Sequence, residues 1–314
     1  MCRVRDGPYV APANDRFLRA FYGRRMIDTI TTAARSVAVA AFALGVLLAS
    51  VSPAAASQFI DRGATGAGLS VTPAGALVTY RVAGVTKRVL ATGAINARAP
   101  NGSVPQVEFR LASASSLPGG RCGRYDGPRL RWLVAACKAS DGSYWALQSW
   151  ARLLPNFGAR PAGFEQSARE LRLSHWRGPI AELEIKTDWA WRRFDHLYGR
   201  LTYLGKPVHG FRSTRYGAPL DTYGRNIYLD TFNSRYGGGW QRENSFLAHR
   251  PTGVFCYMVR PGGRGQRYRA TVIGPGVTPD VVWEGVAPGP FDSAREAEAN
   301  AEQRAMRDRL CRPN

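Results

Sequence analysis

Carboxylate side chains that could act in general acid and base catalysis alternate along the segment "AELEIKTDWAW", residues 181–191. Glu182, Glu184 and Asp188 fall on one side of an extended chain, because successive side chains of a strand point to opposite faces. Two carboxyl groups about 5 to 5.5 Å apart are what a retaining glycosidase needs. The segment is therefore a candidate hydrolytic site, although charged residues more commonly cover the solvated face of an antiparallel sheet.

The stretch "ELEIKTD", residues 182–188, resembles the E-x-D-x-x-E strand of laminarinase-type jelly-roll glycosidases. The resemblance implies a carboxylate pair that supplies a nucleophile and an acid. Glu184 stands where that family has Asp, and Asp188 comes late in the pattern and is not Glu. The resemblance therefore assigns neither role. A carbohydrate-active hydrolase using Glu182 and Glu184 is kept as an alternative function.

A second candidate site lies in the segment "IYLDTFNSRYGGGWQREN", residues 227–244, which begins as a strand and then turns at three glycines. Two arginines and two aromatic residues flank the glycines, namely Arg235, Tyr236, Trp240 and Arg242. Flat rings and planar guanidinium groups suit sugars and anions. The same residue types are common in ordinary β-turns. We therefore predict an anionic or glycan ligand for these four residues, with a purely structural hairpin as the alternative.

Sequence motifs of several enzyme classes are absent. The chain contains no phosphate-binding loop, no G-x-G-x-x-G after a strand, no H-E-x-x-H and no G-x-S-x-G. The four histidines are scattered and show no triad order with a nucleophile. We therefore predict no catalytic residue outside the carboxylate strand, no cofactor and no metal site.

An uncharged segment, residues 36–60, has the apolar core "VAVAAFALGVLL" and then the small residues Ala54, Ala55 and Ala56. This arrangement is typical of a secretory signal with its cleavage site. Its apolar run is shorter than the about 20 residues that a membrane-spanning helix needs. Residues 1–56 are therefore predicted to be the signal region, with Met26 as an alternative start. The protein is therefore predicted to be secreted and extracytoplasmic, with no membrane span after cleavage of the signal.

The net charge of the chain is +20, and only four of its basic residues are lysines. A positive field favours acidic partners such as anionic envelope polymers, although a general arginine-rich composition has the same effect on net charge. The charge therefore favours an anionic or glycan component of the cell envelope as the partner. It predicts no specific nucleic-acid recognition, and it leaves the oligomeric state open.

Four cysteines follow the predicted cleavage site, and an even number in an exported chain indicates two disulfides. Three pairings exist in principle. We favour the pairing in which each bond closes the shorter available loop, which joins Cys122 to Cys137 and Cys256 to Cys311. None of these cysteines lies at metal-ligand spacing from another cysteine or a histidine.

Alternation with period two recurs through most of the chain and predicts antiparallel strands. Gly- and Pro-rich turns separate the strands, which indicates a β-sandwich or jelly roll. One helix is predicted over Ala294–Leu310, introduced by Ser293 in a capping-box pattern. Residues 57–103 are predicted to be an N-terminal arm with one hairpin, "LVTYRVAGVTKRVL", and residues 104–314 the β-rich domain.

From these observations we expect a secreted, non-catalytic protein of the cell envelope that binds an anionic or glycan ligand. The hydrolase described above is one alternative. A structural envelope protein that binds protein partners is the other.

Overall fold

The computed structural model describes residues 57–98, 107–115, 120, 122–151, 153, 168–208, 227–246, 253–308 and 311. Within these residues the chain is mostly antiparallel β-structure followed by one helix, so the predicted fold class is confirmed. Its strands in chain order are β1 (Gln58–Arg62), β2 (Thr65–Thr72), β3 (Gly75–Val82), β4 (Val85–Gly93), β5 (Phe109–Ser113), β6 (Leu133–Lys138), β7 (Tyr144–Ala151), β8 (Arg169–Trp176), β9 (Glu182–Ala190), β10 (Phe194–Tyr203), β11 (Lys206–Pro207), β12 (Ile227–Ser234), β13 (Gly237–Phe246), β14 (Val254–Met258), β15 (Arg267–Val272) and β16 (Val281–Val286).

The strands form four sheets of four strands each. Sheet I has the order β2-β3-β4-β5, and sheet II has the order β1-β8-β7-β6. Sheet III has the order β13-β12-β15-β16. In sheet IV, β10 pairs with β9, β11 and β14. Every pairing between these strands is antiparallel, whether the strands are consecutive, as in β3–β4 and β9–β10, or distant in the chain, as in β1–β8.

Sheets I and II form the first sandwich. Val78 and Tyr80 of β3 pack with Trp145 and Leu147 of β7 and with Leu173 of β8 in one buried cluster. These residues alternate with residues on the opposite face of each strand, as the period-two pattern predicts. Burying a side chain of this size contributes about 1.5 to 3 kcal/mol, so this core holds the two sheets together.

The segment predicted to be an N-terminal arm supplies β1 to β4. Its predicted hairpin corresponds to β3 and β4, which pair from Ala76↔Ala91 to Val82↔Val85. The side chains of β3 lie in the same core as those of β7. The hairpin is therefore an integral part of the first sandwich in the structure.

Sheets III and IV form the second sandwich. Its core contains Leu229 and Tyr268 of sheet III and Leu197, Leu201 and Phe255 of sheet IV. Tyr268 also donates a hydrogen bond across the core to Asp195 of β10, so the apolar interior contains one polar link. The two sandwiches contact each other where Trp150 of sheet II packs on Tyr228 of sheet III.

Helix α1 (Ser293–Ala305) follows β16 and covers part of sheet IV. Its N-cap is Asp292 rather than the predicted Ser293, since the Asp292 carboxylate accepts hydrogen bonds from the amides of Ala294 and Arg295 at 2.9 and 3.1 Å. The helix is also shorter than predicted, because Arg307 adopts a left-handed backbone with φ of 55°. No helix in the described part of the chain has the length and apolar character needed to cross a bilayer.

Each sandwich contains one disulfide, and the pairs are those that loop length favours. Cys122 is bonded to Cys137 of β6, with the Cα atoms 4.9 Å apart. Cys256 of β14 is bonded to Cys311, which follows α1, with the Cα atoms 5.6 Å apart. The second bond therefore fastens the chain beyond the helix to the sheet that the helix covers.

Candidate functional site

The carboxylates predicted from the strand pattern do not share one environment. Glu182 and Glu184 are exposed on β9, where their cross-strand neighbours are Thr202 and Arg200. Neither side chain lines either of the two cavities described below. The strand alternation thus places these two side chains on an open surface rather than in a cleft.

The expectation that Asp188 shares this solvated face is wrong, because α1 covers the far end of the strand. Asp188 is 2% exposed. It accepts a hydrogen bond from Gln303 of the helix at 2.6 Å and lies 2.6 Å from Nδ1 of His196, its cross-strand neighbour. Its carboxylate is therefore committed to holding the helix on the sheet.

The four residues predicted to bind a ligand divide between two regions of the β12–β13 hairpin. The turn occurs at Arg235 and Tyr236, and the glycines begin β13 rather than forming the tip. Trp240 and Arg242 follow on one face of sheet III, since they are two residues apart in a strand. Arg242 is buried, forms an ion pair with Asp230, and lies over the ring of Tyr228.

Trp240 belongs to a row of stacked cations and rings on the same face. The guanidinium of Arg269 lies 4.3 Å from the centre of the Trp240 ring and 5.3 Å from that of Trp132. Arg267 approaches the same Trp240 ring at 5.6 Å. Such contacts contribute about 0.5 to 1 kcal/mol each at exposed sites and more when desolvated. The row therefore fixes the orientation of Trp240.

Arg235 lies apart from this row, in a cavity of about 370 Å³ that we call the arginine pocket. Arg193, Phe194, Arg235, Pro261 and Arg264 line it. Arg264 also forms an ion pair with the buried carboxylate of Asp195 at 2.9 Å. Three guanidinium groups beside one ring, of which that of Arg264 is already paired with Asp195, give a positive surface suited to a carboxylate, a sulfate or a phosphate.

A larger cavity of about 1140 Å³ opens at one end of the first sandwich, and we call it the sandwich-end pocket. Its walls are mainly apolar and come from residues 71–75, at the β2–β3 turn, and residues 92–95, at the end of β4. The polar side comes from residues 139–141 and 143, at the β6–β7 turn. Val107, Gly120, Trp145 and His175 complete the lining, so a mainly apolar surface and a few hydrogen-bonding groups meet in one cavity.

The sequence "ASDGSY" builds the polar side locally. Gly142 adopts φ of +80° with open space around it, which closes the turn. Asp141 accepts hydrogen bonds from the amide of Ser143 at 2.9 Å and from its hydroxyl at 2.6 Å, which is the usual bonding of an Asx turn. These bonds hold the pKa of Asp141 below its usual value, and Arg177 lowers it further.

His175 joins this turn to the end of β4. Its Nδ1 lies 2.8 Å from the carbonyl oxygen of Gly93, and its Nε2 lies 2.9 Å from the hydroxyl of Ser143. A carbonyl oxygen only accepts, so Nδ1 carries a hydrogen. The ring stacks on Trp145, with the centres 3.7 Å apart. Burial lowers the pKa of His175, so the neutral ring predominates at neutral pH. Its Nε2 then carries no hydrogen, so the one hydroxyl hydrogen of Ser143 is directed either to Asp141 or to Nε2.

The contact between Ser143 and His175 has the composition of a nucleophile and its base but not the geometry. In an acyl-transfer triad the carboxylate contacts the histidine and orients it. Here Asp141 contacts the serine instead, and a backbone carbonyl orients the ring. Ser143 is fully buried, so its hydroxyl does not reach a substrate. The arrangement therefore positions hydrogen-bonding groups and does not activate a nucleophile.

Among the residues that the structure describes, no group of three or more His, Cys, Asp or Glu side chains is arranged to hold a metal ion. Sequence reasoning did not find the Ser143–His175 contact, because the two residues are 32 positions apart and meet only through sheet pairing. The "SDGS" turn was the one local signal.

Comparison of this chain with protein-family models, with curated proteins and with solved structures finds no match.

Proposed function

We propose that this protein is an extracytoplasmic, non-catalytic binding protein whose sandwich-end pocket takes a small amphiphile with an apolar body and a hydroxyl head. The observation that carries the proposal is the cavity of about 1140 Å³, whose mainly apolar lining includes a few polar groups. Ligand pockets have this composition, with a few placed polar groups, and this cavity is slightly larger than their usual volumes of roughly 300 to 1,000 Å³. The two disulfides are compatible with an extracytoplasmic location.

The polar side of the pocket favours a head group that donates a hydrogen bond. Asp141 is an ionised acceptor at the mouth, because its hydrogen bonds hold its pKa low. Its side chain is about half exposed, so it meets a ligand at the surface. Arg177 pairs with Asp141 at 3.2 Å but does not line the pocket, so a second negative charge next to Asp141 inside the pocket is repelled. A hydroxyl head therefore binds better than a carboxylate head of the same chain length.

Fluorescence binding of N-phenyl-1-naphthylamine, with 1-monolauroylglycerol and laurate as competitors, tests the proposal. In Ala74→Trp a large ring enters the pocket from an exposed turn position. We expect the dissociation constant of N-phenyl-1-naphthylamine to rise at least about tenfold in this variant, which is a loss of about 1.4 kcal/mol in binding free energy. Val85→Trp is the control, since Val85 is exposed at the opposite end of β3. We expect monolauroylglycerol to compete better than laurate. Equal binding by both variants would refute the proposal.

The same sample tests the absence of catalysis. A fluorophosphonate probe labels serines activated for acyl transfer. We expect no labelling of Ser143, because its hydroxyl is buried and contacts a carboxylate. Labelling of Ser143 that is lost in His175→Gln would instead assign a hydrolase to this pocket.

An anionic glycan is the second candidate ligand, and the arginine pocket is the observation that favours it. Arg235, predicted from the sequence to bind such a ligand, lies there with Arg193 and Arg264 beside Phe194. Charge-assisted hydrogen bonds to a carboxylate or sulfate contribute about 1.5 to 3 kcal/mol each. Trp240 lies outside this pocket, in the stacked row, so a glycan that reaches it has to extend along the hairpin.

Titration with polygalacturonate and with neutral dextran distinguishes this ligand from general charge. We expect Arg235→Gln to weaken polygalacturonate binding about tenfold or more, the loss of one charge-assisted contact. Arg88→Gln removes the same charge from an exposed position in sheet I and should change little. If the two substitutions have equal effects, the net charge acts alone and the arginine pocket is not a site.

A further inference from the structure

Ser57, the first residue after the predicted cleavage site, lies inside the molecule. It is fully buried, and its hydroxyl donates a hydrogen bond to Oδ1 of Asp280 at 2.6 Å. Its carbonyl oxygen accepts a hydrogen bond from Arg172 at 3.0 Å. The side chain and the carbonyl group of the residue are thereby fixed. Covalent geometry places its backbone nitrogen within about 4 Å of its own hydroxyl oxygen, and therefore close to the same carboxylate.

The Asp280 carboxylate has neutral donors only. Oδ1 accepts from the Ser57 hydroxyl and Oδ2 from the Trp150 indole at 3.0 Å. Gln148 satisfies the backbone N–H and carbonyl of Asp280. In the described part of the chain this carboxylate forms no ion pair. Burial raises its pKa, and the nearby charge of Arg172 only partly opposes that effect.

Arg172 does not supply the missing cation, because it is already paired. Its Nε and Nη2 lie 3.1 and 2.8 Å from one oxygen of the buried Glu170. Arg62 contacts the other oxygen of Glu170 at 3.0 Å from the protein surface. A buried carboxylate without a cation is destabilising by several kcal/mol. Without a cation beside it, Asp280 is therefore either held protonated or destabilising as a carboxylate, at the place where Ser57 is held.

We propose that cleavage between Ala56 and Ser57 supplies this cation, and that the new α-ammonium group of Ser57 forms a buried ion pair with Asp280. In the cleavage a signal peptidase adds water across the peptide bond. Ala56 leaves with a carboxylate, and the freed amine of Ser57 takes up a proton. The inference rests on the proposed export, since without cleavage Ser57 has no free amine. Removal of the signal then completes the core as well as releasing the chain.

Two chains that differ by one residue test the ion pair. The described residues from Ser57 onward belong to one compact unit, so chains starting at Ser57 or at Ala56 can be released from a fusion partner and refolded with their disulfides. We expect the unfolding equilibrium constant to be at least tenfold lower for the chain that starts at Ser57. In Asp280→Asn the two chains should have equal stability, since the ion pair is lost in both.

Amine labelling gives a second readout that does not depend on how well Asp280→Asn folds. In the chain that starts at Ser57, reductive dimethylation at neutral pH should modify the Ser57 amine at least tenfold more slowly than the amine of the chain that starts at Ala56. Equal stability of the two chains, or rapid labelling of the Ser57 amine in the folded protein, would overturn the proposal. N-terminal sequencing of exported protein separately tests where the cell cleaves, so failure of export and failure of the ion pair give different results.

Discussion

Breaking the two disulfides one at a time should destabilise the protein to different extents. The double variants are Cys122→Ala with Cys137→Ala, and Cys256→Ala with Cys311→Ala. The first bond closes a sequence separation of 15 residues and the second a separation of 55. With chain-entropy loop closure, the corresponding losses in free energy of unfolding are about 3 and about 4 kcal/mol. The bond that fastens the chain beyond α1 should therefore be the more important one.

The location of each bond adds a local effect to this difference. Without the bond to Cys256, only packing and polar contacts hold α1 on sheet IV, notably the bonds from Gln303 to Asp188 and from Tyr198 to Glu302. We expect hydrogen exchange of the helix amides to accelerate in this variant and to stay unchanged in the other. Fluorescence-monitored denaturation in guanidinium chloride gives the free energies.

Reduced wild-type protein is the control for the sulfur atoms removed from the core, because it lacks the bonds but keeps every cysteine. Its loss in free energy of unfolding should approach the sum of the losses in the two double variants if the bonds act independently. A larger loss for the 15-residue pair, or unchanged helix exchange in the Cys256 and Cys311 variant, would refute the reasoning.

Two further predictions test the chemistry of His175 and the packing at Gly199. Burial depresses the pKa of His175, so the unfolded chain binds more protons as pH falls below the ordinary value of about 6.5, and the protein loses stability there. His175→Gln should flatten the pH dependence of the free energy of unfolding below that pH, and an unchanged slope would contradict the assignment. A Cβ at Gly199 would collide with the carbonyl of Glu184, so Gly199→Ala should lose about 1 to 3 kcal/mol, whereas Gly238→Ala, with open space around it, should be near neutral in the same denaturation assay.

The sheet fold was predictable because alternation records which face of a strand is buried. The "AELEIKTDWAW" pattern identified β9 almost residue for residue. Strands without that pattern were missed. β13 begins at Gly237, within three glycines that were read as a turn tip, and β2, "TGAGLSVT", has too few large apolar residues to show a period. These two strands form because they hydrogen-bond to neighbouring strands, although their side chains show no alternation that predicts them.

The candidate sites were much less predictable, since they depend on which strands become neighbours. Asp188 was placed with Glu182 and Glu184 by alternation, but only the docking of α1 decides that it is buried. The contact between Ser143 and His175 needs the register of β7 and β8 and the position of the turn before β7. Sequence spacing along one strand contains neither kind of information.

The hydrogen bond from Ser57 to Asp280 has a consequence for the order of folding, since it joins residues 223 positions apart. The outer face of sheet II includes Trp150 and Gln148, and both contact Asp280, so this face is incomplete until the chain beyond β15 has been synthesised. Contacts between distant residues require loop closure before they stabilise anything, and folding slows as their share rises. The link between Ser57 and Asp280 therefore forms only after the chain beyond β15 has emerged, whereas the core between sheets I and II needs no residue beyond β8.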